Sequence, residues 1–498
     1  MIDLTPDRIR EVCRAALLAG GPSRSGPADT PARAVVDSRE VRPGDLFVGI
    51  AGERADGGAY AEQAIEAGCW GVLLTSEHAL RAAAIARGRL RVMSVDDPKL
   101  ALARLARAWT DRLWADGCKF VGITGSTGKT STKDILLAML GPAVDGAVHA
   151  NPRNYNTEIG LPLAVLEADL GTKVMVLEMA MRGPGQIREL CDIAPPEIGV
   201  ITNIGPVHLE LLGTVEAVAE AKAELIAALP ADGVCVVPAA AESLHPHLRR
   251  EVRTFTFADW PVPRGEWLEE TERVAGAAAD LRVLAAEPAT VSGGKGLRAE
   301  IAVLAERATL EFNFRQAHNL VNALAAIGAA HGLGIAPSAL AEGARQVEFS
   351  SLRGEEIELD AGVIVVNDCY NANPISMRAA LDHLAEVAAD RDAPRRVAVL
   401  GDMGELGPSA SDFHRDVGSY AARNGVGLLV AVGALARGYA EGYGEAGDVQ
   451  LAADAAEAAA VLPDLLEPND VVLVKASRSI GLERVADALV SRNGEGTG

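Results

Sequence analysis

Phe120-Val-Gly-Ile-Thr-Gly-Ser-Thr-Gly-Lys-Thr-Ser-Thr-Lys133 is the stretch that decides the architecture. Phe120, Val121 and Ile123 read as a short buried strand, Gly125 and Gly128 allow a tight turn, and Thr130 onward, with Ile135, Leu136, Met139 and Leu140, repeats with helical spacing. Strand, glycine loop and helix in that order make an anion site, because backbone N–H groups at the helix start converge on the loop and the helix dipole adds partial positive charge. Gly125, Ser126, Thr127, Gly128, Lys129, Thr130 and Ser131 form the cradle, in which Lys129 reaches terminal phosphates and the Thr130 hydroxyl can ligate magnesium. Thr124-Gly-Ser-Thr-Gly-Lys-Thr130 is a shorter variant of the common phosphate loop, whose first glycine would fall at Ile123. The bland alternative is a glycine turn beside a solvated lysine. A nucleoside triphosphate is the expected ligand.

The chain around this loop is too long, at 498 residues, for one ordinary core, and roughly three domains are expected. A hydrophobic share of 49% can fill them. The 47 basic against 68 acidic residues give a net charge of −21, which argues against a nucleic-acid or anionic-membrane partner. Anionic substrates must then be held by local groups, which is feasible because salt screens the global field beyond about 8 Å. Cys13, Cys69, Cys118, Cys191, Cys235 and Cys369 show neither metal-ligand spacing nor a disulfide framework, so a reducing compartment is expected. The acidic start Met1-Ile-Asp-Leu-Thr-Pro-Asp7 and the lack of a long apolar run point to a cytoplasmic protein without a signal peptide.

The expected fold class is α/β in three domains: a small N-terminal α/β domain over 1–115, a central phosphate-loop domain on a parallel sheet over 116–334, and a C-terminal Rossmann-like, doubly wound domain over 335–498. In the first, the run Ala34 to Ile50 looks like two strands with a turn, followed by a helix through Tyr60 to Ala67, a strand at Gly71 to Thr75 and a helix started by Asp97-Pro98. Ser38 and Arg39 can hold an anionic group or be an ordinary turn and a surface arginine. In the second, the strand Val174-Met-Val-Leu ends in Glu178, and Ile198-Gly-Val-Ile-Thr-Asn203 ends near His208. Ligands of such sheets bind at the carboxyl ends of the strands, so one site can gather the loop, Glu178 and His208, with Glu178 on a metal ion. Lys222 lies in a helix whose charges, by composition, face water. The stretch Ala239 to Leu310 reads as β-rich decoration, and Asn319 and Asn322 share a face of the following helix. The third segment starts with helix-like Ser338 to Arg345 and then alternates strands at Val363, Arg396, Leu428 and Val471 with helices at 375–389 and 411–423; the Ala-rich run 452–462 is read as a helix. Asp368, Asn371 and Asn373 stand at a strand end, as a ribose or small-molecule site or as a plain polar turn.

These motifs together resemble the Mur ligase family, ATP-dependent amide-forming enzymes of peptidoglycan precursor synthesis. The resemblance runs through Asp37-Ser-Arg39, Pro43-Gly-Asp-Leu-Phe-Val48, the phosphate loop, Glu178-Met-Ala-Met-Arg-Gly-Pro-Gly-Gln-Ile187, Thr202-Asn-Ile-Gly-Pro-Val-His-Leu-Glu210, Ala221-Lys-Ala-Glu224, Asp368-Cys-Tyr-Asn-Ala-Asn-Pro374 and Gly401-Asp-Met-Gly-Glu-Leu-Gly407. The last two are the most specific to one branch, whose implied substrates are UDP-N-acetylmuramoyl-tripeptide, D-alanyl-D-alanine and ATP. An Asp-Asn-Pro-Arg signature of a sister enzyme is absent, Asn151-Pro152-Arg153 being a partial echo in the wrong domain.

By this resemblance Ser38 and Arg39 hold the uridine end, residues 125–131 cradle ATP, Thr130 and Glu178 bind one magnesium ion, and His208 stands near a second. Lys222 matches a position carried as a carbamate in several members, which would make it an oxygen ligand. Asn319 or Asn322 would lie near adenine and Asp368 near ribose. Asn371, Asn373, Ser477 and Arg478 are candidates for the incoming dipeptide, and Asn154 is a substrate-binding candidate. The chain departs from the family at Gly58, Thr157, Lys475-Ala-Ser-Arg478 and Leu482-Glu483. The implied reaction phosphorylates the tripeptide carboxylate and lets the dipeptide amine displace phosphate. A monomer is expected. The rivals are a sister ligase adding another amino acid, a folylpolyglutamate-type synthetase, and a nucleotide-dependent switch.

Overall fold

The computed structural model describes residues 4–21, 29–152, 154–258 and 278–495, which form three α/β units, each on its own sheet. Arg153 of the partial echo, and residues 259–277 of the stretch read as β-rich, lie outside the described residues.

The first sheet has five strands in the order Ala16–Gly20, Arg91–Ser94, Gly71–Leu74, Leu46–Val48, Ala34–Val35, parallel except for Ala16–Gly20. Between the last two a single 3-10 turn, Ser38–Glu40, is capped by the Asp37 carboxylate on the Arg39 N–H. The strand Ala16–Gly20 was not expected: it is a mostly exposed edge strand, so burial wrote no alternation into it. Asp97 caps the helix Pro98–Ala115 by accepting from the N–H groups of Lys99 and Leu100, and this helix buries Leu102, Leu105 and Trp109 on its way into the second unit.

The second sheet has nine strands. Lys119–Thr124, which leads into the phosphate loop, lies between Thr172–Glu178 and Ile198–Ile201 and is parallel to both. Three neighbouring carboxyl ends therefore open on one edge, which is where the loop, Glu178 and the segment toward His208 meet. Ala147–Ala150 closes one side, and Val234–Pro238 and Arg253–Phe257 continue the other. The β-rich stretch proves to be the strand Leu281–Val291 with Gly294–Val303 and Glu306–Phe312, paired antiparallel and extending the same sheet.

The third sheet runs Glu355–Glu358, Ile364–Asn367, Val471–Lys475, Arg396–Gly401, Leu428–Val432, Asp448–Ala452, all parallel but the first. Ile364 and Val366 point into one core while Val363 and Val365 point into another, so both faces are covered, as continuous apolar strands require. Two expectations need correction. Ala452 ends a strand, and the Ala-rich helix is Ala455–Leu465, started by an Asp454 cap. The run 338–345 is not one helix: a 3-10 turn, Pro337–Leu340, precedes one α turn, Ala341–Ala344.

That last turn is pressed onto the phosphate-loop helix Lys129–Ala143, since a methyl built on Gly343 would lie 2.2 Å from the Ala138 carbonyl oxygen. Gly343→Ala must push the two apart. Overpacking of this kind costs about 1–3 kcal/mol, and urea unfolding is expected to register a loss of that size; an unchanged midpoint would contradict the close approach.

Candidate active site

Gly125 and Gly128 meet the geometric demand of the loop. Gly125 has φ 149°, and a Cβ there would lie 1.9 Å from Thr202 Oγ1; Gly128 has φ 76°, and a Cβ would lie 2.3 Å from Asn322 Oδ1. Neither position admits a side chain. The loop is tied to the segment after the neighbouring strand: the Thr127 N–H donates to Asn203 Oδ1 at 2.8 Å, and the Ser126 N–H donates to the Asn203 carbonyl at 3.0 Å. Lys129 Nζ donates to the Gly125 carbonyl at 2.8 Å, so the ammonium lies back over its own loop.

Glu178 is 3% exposed and its carboxylate is fully engaged. Thr130 Oγ1 donates to Oε2 and Asn156 Nδ2 to Oε1, each at 2.7 Å. Behind it, fully buried Asn151 accepts from the Glu178 N–H at 2.8 Å and donates to the Glu178 and Tyr155 carbonyls at 2.9 and 2.8 Å. A buried carboxylate needs such partners, and these set its direction.

Lys222 corrects the solvent-facing expectation. It is 1% exposed, and its Nζ donates to the Gly125 carbonyl at 2.9 Å. Burial pushes its amine well below the ordinary ammonium range, and the neighbouring Lys129 adds to the depression. Burial lowers Lys129 as well, against the opposing pull of Glu178.

The third domain closes the other side of a cleft of about 850 Å³, lined from it by Asp368, Tyr370, Asn371, Asn373, His383 and Lys475. Of the sequence-selected residues, Ser126 to Ser131, Asn154, Glu178, His208, Lys222, Asn319, Asn322, Asp368, Asn371 and Asn373 all line this cleft. Asn322 Nδ2 donates to Asn319 Oδ1 at 2.9 Å, on the shared helix face. Asp368 accepts from buried Lys475 Nζ at 2.6 Å. The Asn373 side chain is taken by a capping box with Ser376.

Four residues lie elsewhere. Ser38 donates to Gln63 Oε1 at 2.8 Å in the first domain, and Arg39 is exposed and paired with Asp37. Ser477 is buried, its hydroxyl accepting from the Gly404 N–H at 2.8 Å, and exposed Arg478 lies 3.3 Å from Glu483.

Arg353 is the principal residue that sequence reasoning missed. Its Nη2 donates to Thr130 Oγ1 at 2.8 Å, its guanidinium lies 4.1 Å over the Tyr370 ring, and its buried Nε has no hydrogen-bond partner among the described residues. It sits in Ser350-Ser-Leu-Arg-Gly354, where nothing local announces an arginine turned onto the phosphate loop. His318, which the sequence reading did not single out, also lines the cleft.

The class this geometry defines is a phosphate-loop protein whose loop faces a further α/β domain across one cleft. Family models agree along the chain: the Mur ligase family catalytic domain over residues 35–110, the Mur ligase middle domain over 123–330, and the Mur ligase glutamate ligase domain over 352–478. The UDP-N-acetylmuramoyl-tripeptide–D-alanyl-D-alanine ligase of Mycobacterium bovis is 37% identical across 99% of this chain and 98% of its own, and that of Bacillus subtilis 33% across 91% and 92%. The crystal structure of the MurF ligase of Thermotoga maritima in complex with ADP has a TM-score of 0.73 at 28% identity, covering 93% of this chain and 98% of its own. The chain belongs to the Mur ligase family. Among the described residues no helix is long and apolar enough to cross a membrane.

Burial, with a smaller push from His383, depresses His318 from its ordinary value to about 4. The unfolded chain takes up this proton near pH 6.5 while the folded chain resists until about 4, so folding stability falls as pH drops through that window. Urea titrations at stepped pH are expected to show this loss, at most of order 1 kcal/mol per pH unit, and His318→Asn should make it shallower, buried His149 and His414 supplying the remainder. An equally steep loss in the variant would contradict the assignment.

Proposed function

We propose that this protein joins D-alanyl-D-alanine to UDP-N-acetylmuramoyl-tripeptide with hydrolysis of ATP to ADP and phosphate. The observation that carries the proposal is the single cleft in which the phosphate loop, Glu178 and Lys222 of one domain face Asp368 and Asn371 of another. Near-full-length likeness to ligases of that name supports the choice of substrates.

ATP phosphates lie along the loop and the start of the helix Lys129–Ala143, with Lys129 turning from the Gly125 carbonyl to the terminal phosphate. Arg353 meets the same phosphates from the far side through its fork, as its engagement with the Thr130 hydroxyl and its unpartnered Nε support. Asn319 or Asn322, hydrogen-bonded to each other, lies near adenine, and Asp368, held by Lys475, lies near ribose. Ser38 and Arg39 hold the uridine end in the first domain. Asn154, Asn371, Asn373, Ser477 and Arg478 serve the peptides, Asn373 and Ser477 by shaping backbone, since their side chains are already engaged.

The donor set fits magnesium. Thr130 Oγ1 and the Glu178 carboxylate are adjacent oxygen donors, and among the described residues no cluster of three or more His, Cys, Asp or Glu could hold an ion unaided. Phosphate oxygens and water complete such a shell. His208 stands for a second ion. Lys222, buried and inclined to the neutral amine, is suited to capture carbon dioxide as a carbamate and become a further oxygen ligand. When bound, magnesium supplies charge neutralisation on the transferring phosphoryl group.

A carboxylate oxygen of the tripeptide attacks the γ-phosphorus and ADP departs, leaving an acyl phosphate. The dipeptide amine then attacks the acyl carbon, gives up its proton, and phosphate departs with the bonding pair. Enclosure by three domains orients the reactants and keeps water from the acyl phosphate.

Phosphate release from ATP, measured with each substrate omitted in turn, is expected to require both the muramoyl tripeptide and D-alanyl-D-alanine. Release without the dipeptide would move the chain to the switch reading, and release with a single amino acid to a sister ligase. Lys129→Ala should lower turnover by about 10²-fold or more at an unchanged melting temperature; retained activity would remove the loop from the mechanism. In ¹³C-bicarbonate, a carbamate carbon signal is expected that Lys222→Met abolishes, and its persistence in that variant would place the carbamate elsewhere.

A further inference from the structure

Gly401-Asp-Met-Gly-Glu-Leu-Gly407 has no part in the phosphate chemistry described above, yet it makes a backbone-strained contact across the domain boundary. His208, in the central domain, has φ 54°, and Glu405, in the third, has φ 62°. Glu405 Oε2 is hydrogen-bonded to His208 Nδ1, and Oε1 lies 3.4 Å from Arg182 Nε. The Glu405 carbonyl accepts from the Glu210 N–H at 3.2 Å, and a Cβ on Gly407, itself at φ 66°, would lie 3.3 Å from that same nitrogen. Two loops from different domains thus each hold a non-glycine residue in the left-handed region where they meet. Strain retained at one contact points to a use for that contact.

The chemistry of the pair narrows the use. A carboxylate only accepts, so Nδ1 carries the proton of the shared hydrogen bond, and Nε2 is the ring nitrogen that Glu405 leaves free. His208 lines the cleft, and the carboxylate behind it is the kind of partner that fixes ring direction and tautomer for a histidine that serves a metal or phosphate group. We propose that Glu405 is a positioning residue supplied by the third domain: it orients His208 toward the phosphoryl group, so that the phosphate site is complete only when that domain is docked. This rests on the ligase reading, and it ties arrival of the domain that brings the amine to readiness of the groups that activate the carboxylate. An ordinary half-exposed ion pair would contribute little and would need no strained backbone.

The test uses the full chain with Glu405→Ala, Glu405→Gln, His208→Ala and the Glu405→Ala/His208→Ala pair, each checked by its melting curve. Glu405→Ala is expected to lower kcat by about 10- to 100-fold with the KM for ATP unchanged. Glu405→Gln, whose amide oxygen still accepts the Nδ1 proton, should recover most of it. In the His208→Ala background Glu405→Ala should have no further effect. Independently of turnover, Mn²⁺ binding in the presence of ADP, read by electron paramagnetic resonance, should weaken by about tenfold in Glu405→Ala, and small-angle scattering should show a larger radius of gyration. Full kcat in Glu405→Ala, an equal loss without His208, or Gln no better than Ala would each overturn the proposal. Failure of the wild type to turn over the muramoyl substrate would overturn the ligase reading instead, while Mn²⁺ binding and scattering still decide the role of Glu405.

Discussion

A carboxylate buried at the end of a central strand is the constraint on which the site depends. Glu178 cannot be buried there without hydrogen-bond partners: Thr130 at the start of the phosphate-loop helix and Asn156 from the segment after the edge strand Ala147–Ala150 hold its carboxylate, while Asn151 of that same segment holds its backbone. Satisfying this one group fixes the distance between two strand ends and aims a negative charge at the mouth of the loop. Arg353, arriving with the chain that leads into the third domain, bonds to the same Thr130 hydroxyl. The carboxylate thus organises both the nucleotide cradle and the domain that closes over it.

The protein solves the problem of holding polyanions at a net charge of −21 with a few groups at contact range. Lys129, Lys222 and Arg353 lie round one loop, where burial sharpens their fields. Burial depresses both lysines, with Lys129 adding to the depression of Lys222 and Arg353 to that of Lys129, and an anion entering beside them relieves these penalties. The cleft is therefore built to be occupied.

The legible part of this molecule was the part with strict local chemistry. The loop Thr124 to Thr130 could be read because glycine and lysine at those spacings have few other uses, and Glu178 because an acid after four apolar residues is costly without a task. Doubly wound order in the third domain was legible from its apolar strands. Lys222 was not: its helix is rich in Ala and Glu, and only the tertiary fold shows that this face turns inward onto the Gly125 carbonyl. Arg353 was hidden because its partners, Thr130 and Tyr370, come from different domains. The strand Ala16–Gly20 was missed because an exposed edge leaves no periodicity. The family resemblance supplied roles that spacing alone had left open, above all for Lys222 and Asp368.

The account's central claim is that ATP is spent on activating a carboxylate within the shared cleft. It is tested most directly by labelling the terminal carboxylate of the muramoyl tripeptide with ¹⁸O and running the ligation with ATP and D-alanyl-D-alanine. The account predicts that one labelled oxygen appears in the inorganic phosphate, because the oxygen that attacks phosphorus leaves with it when the amine forms the amide. Phosphate free of label, with ligated product formed, would contradict the acyl phosphate and with it the chemistry assigned to the cleft.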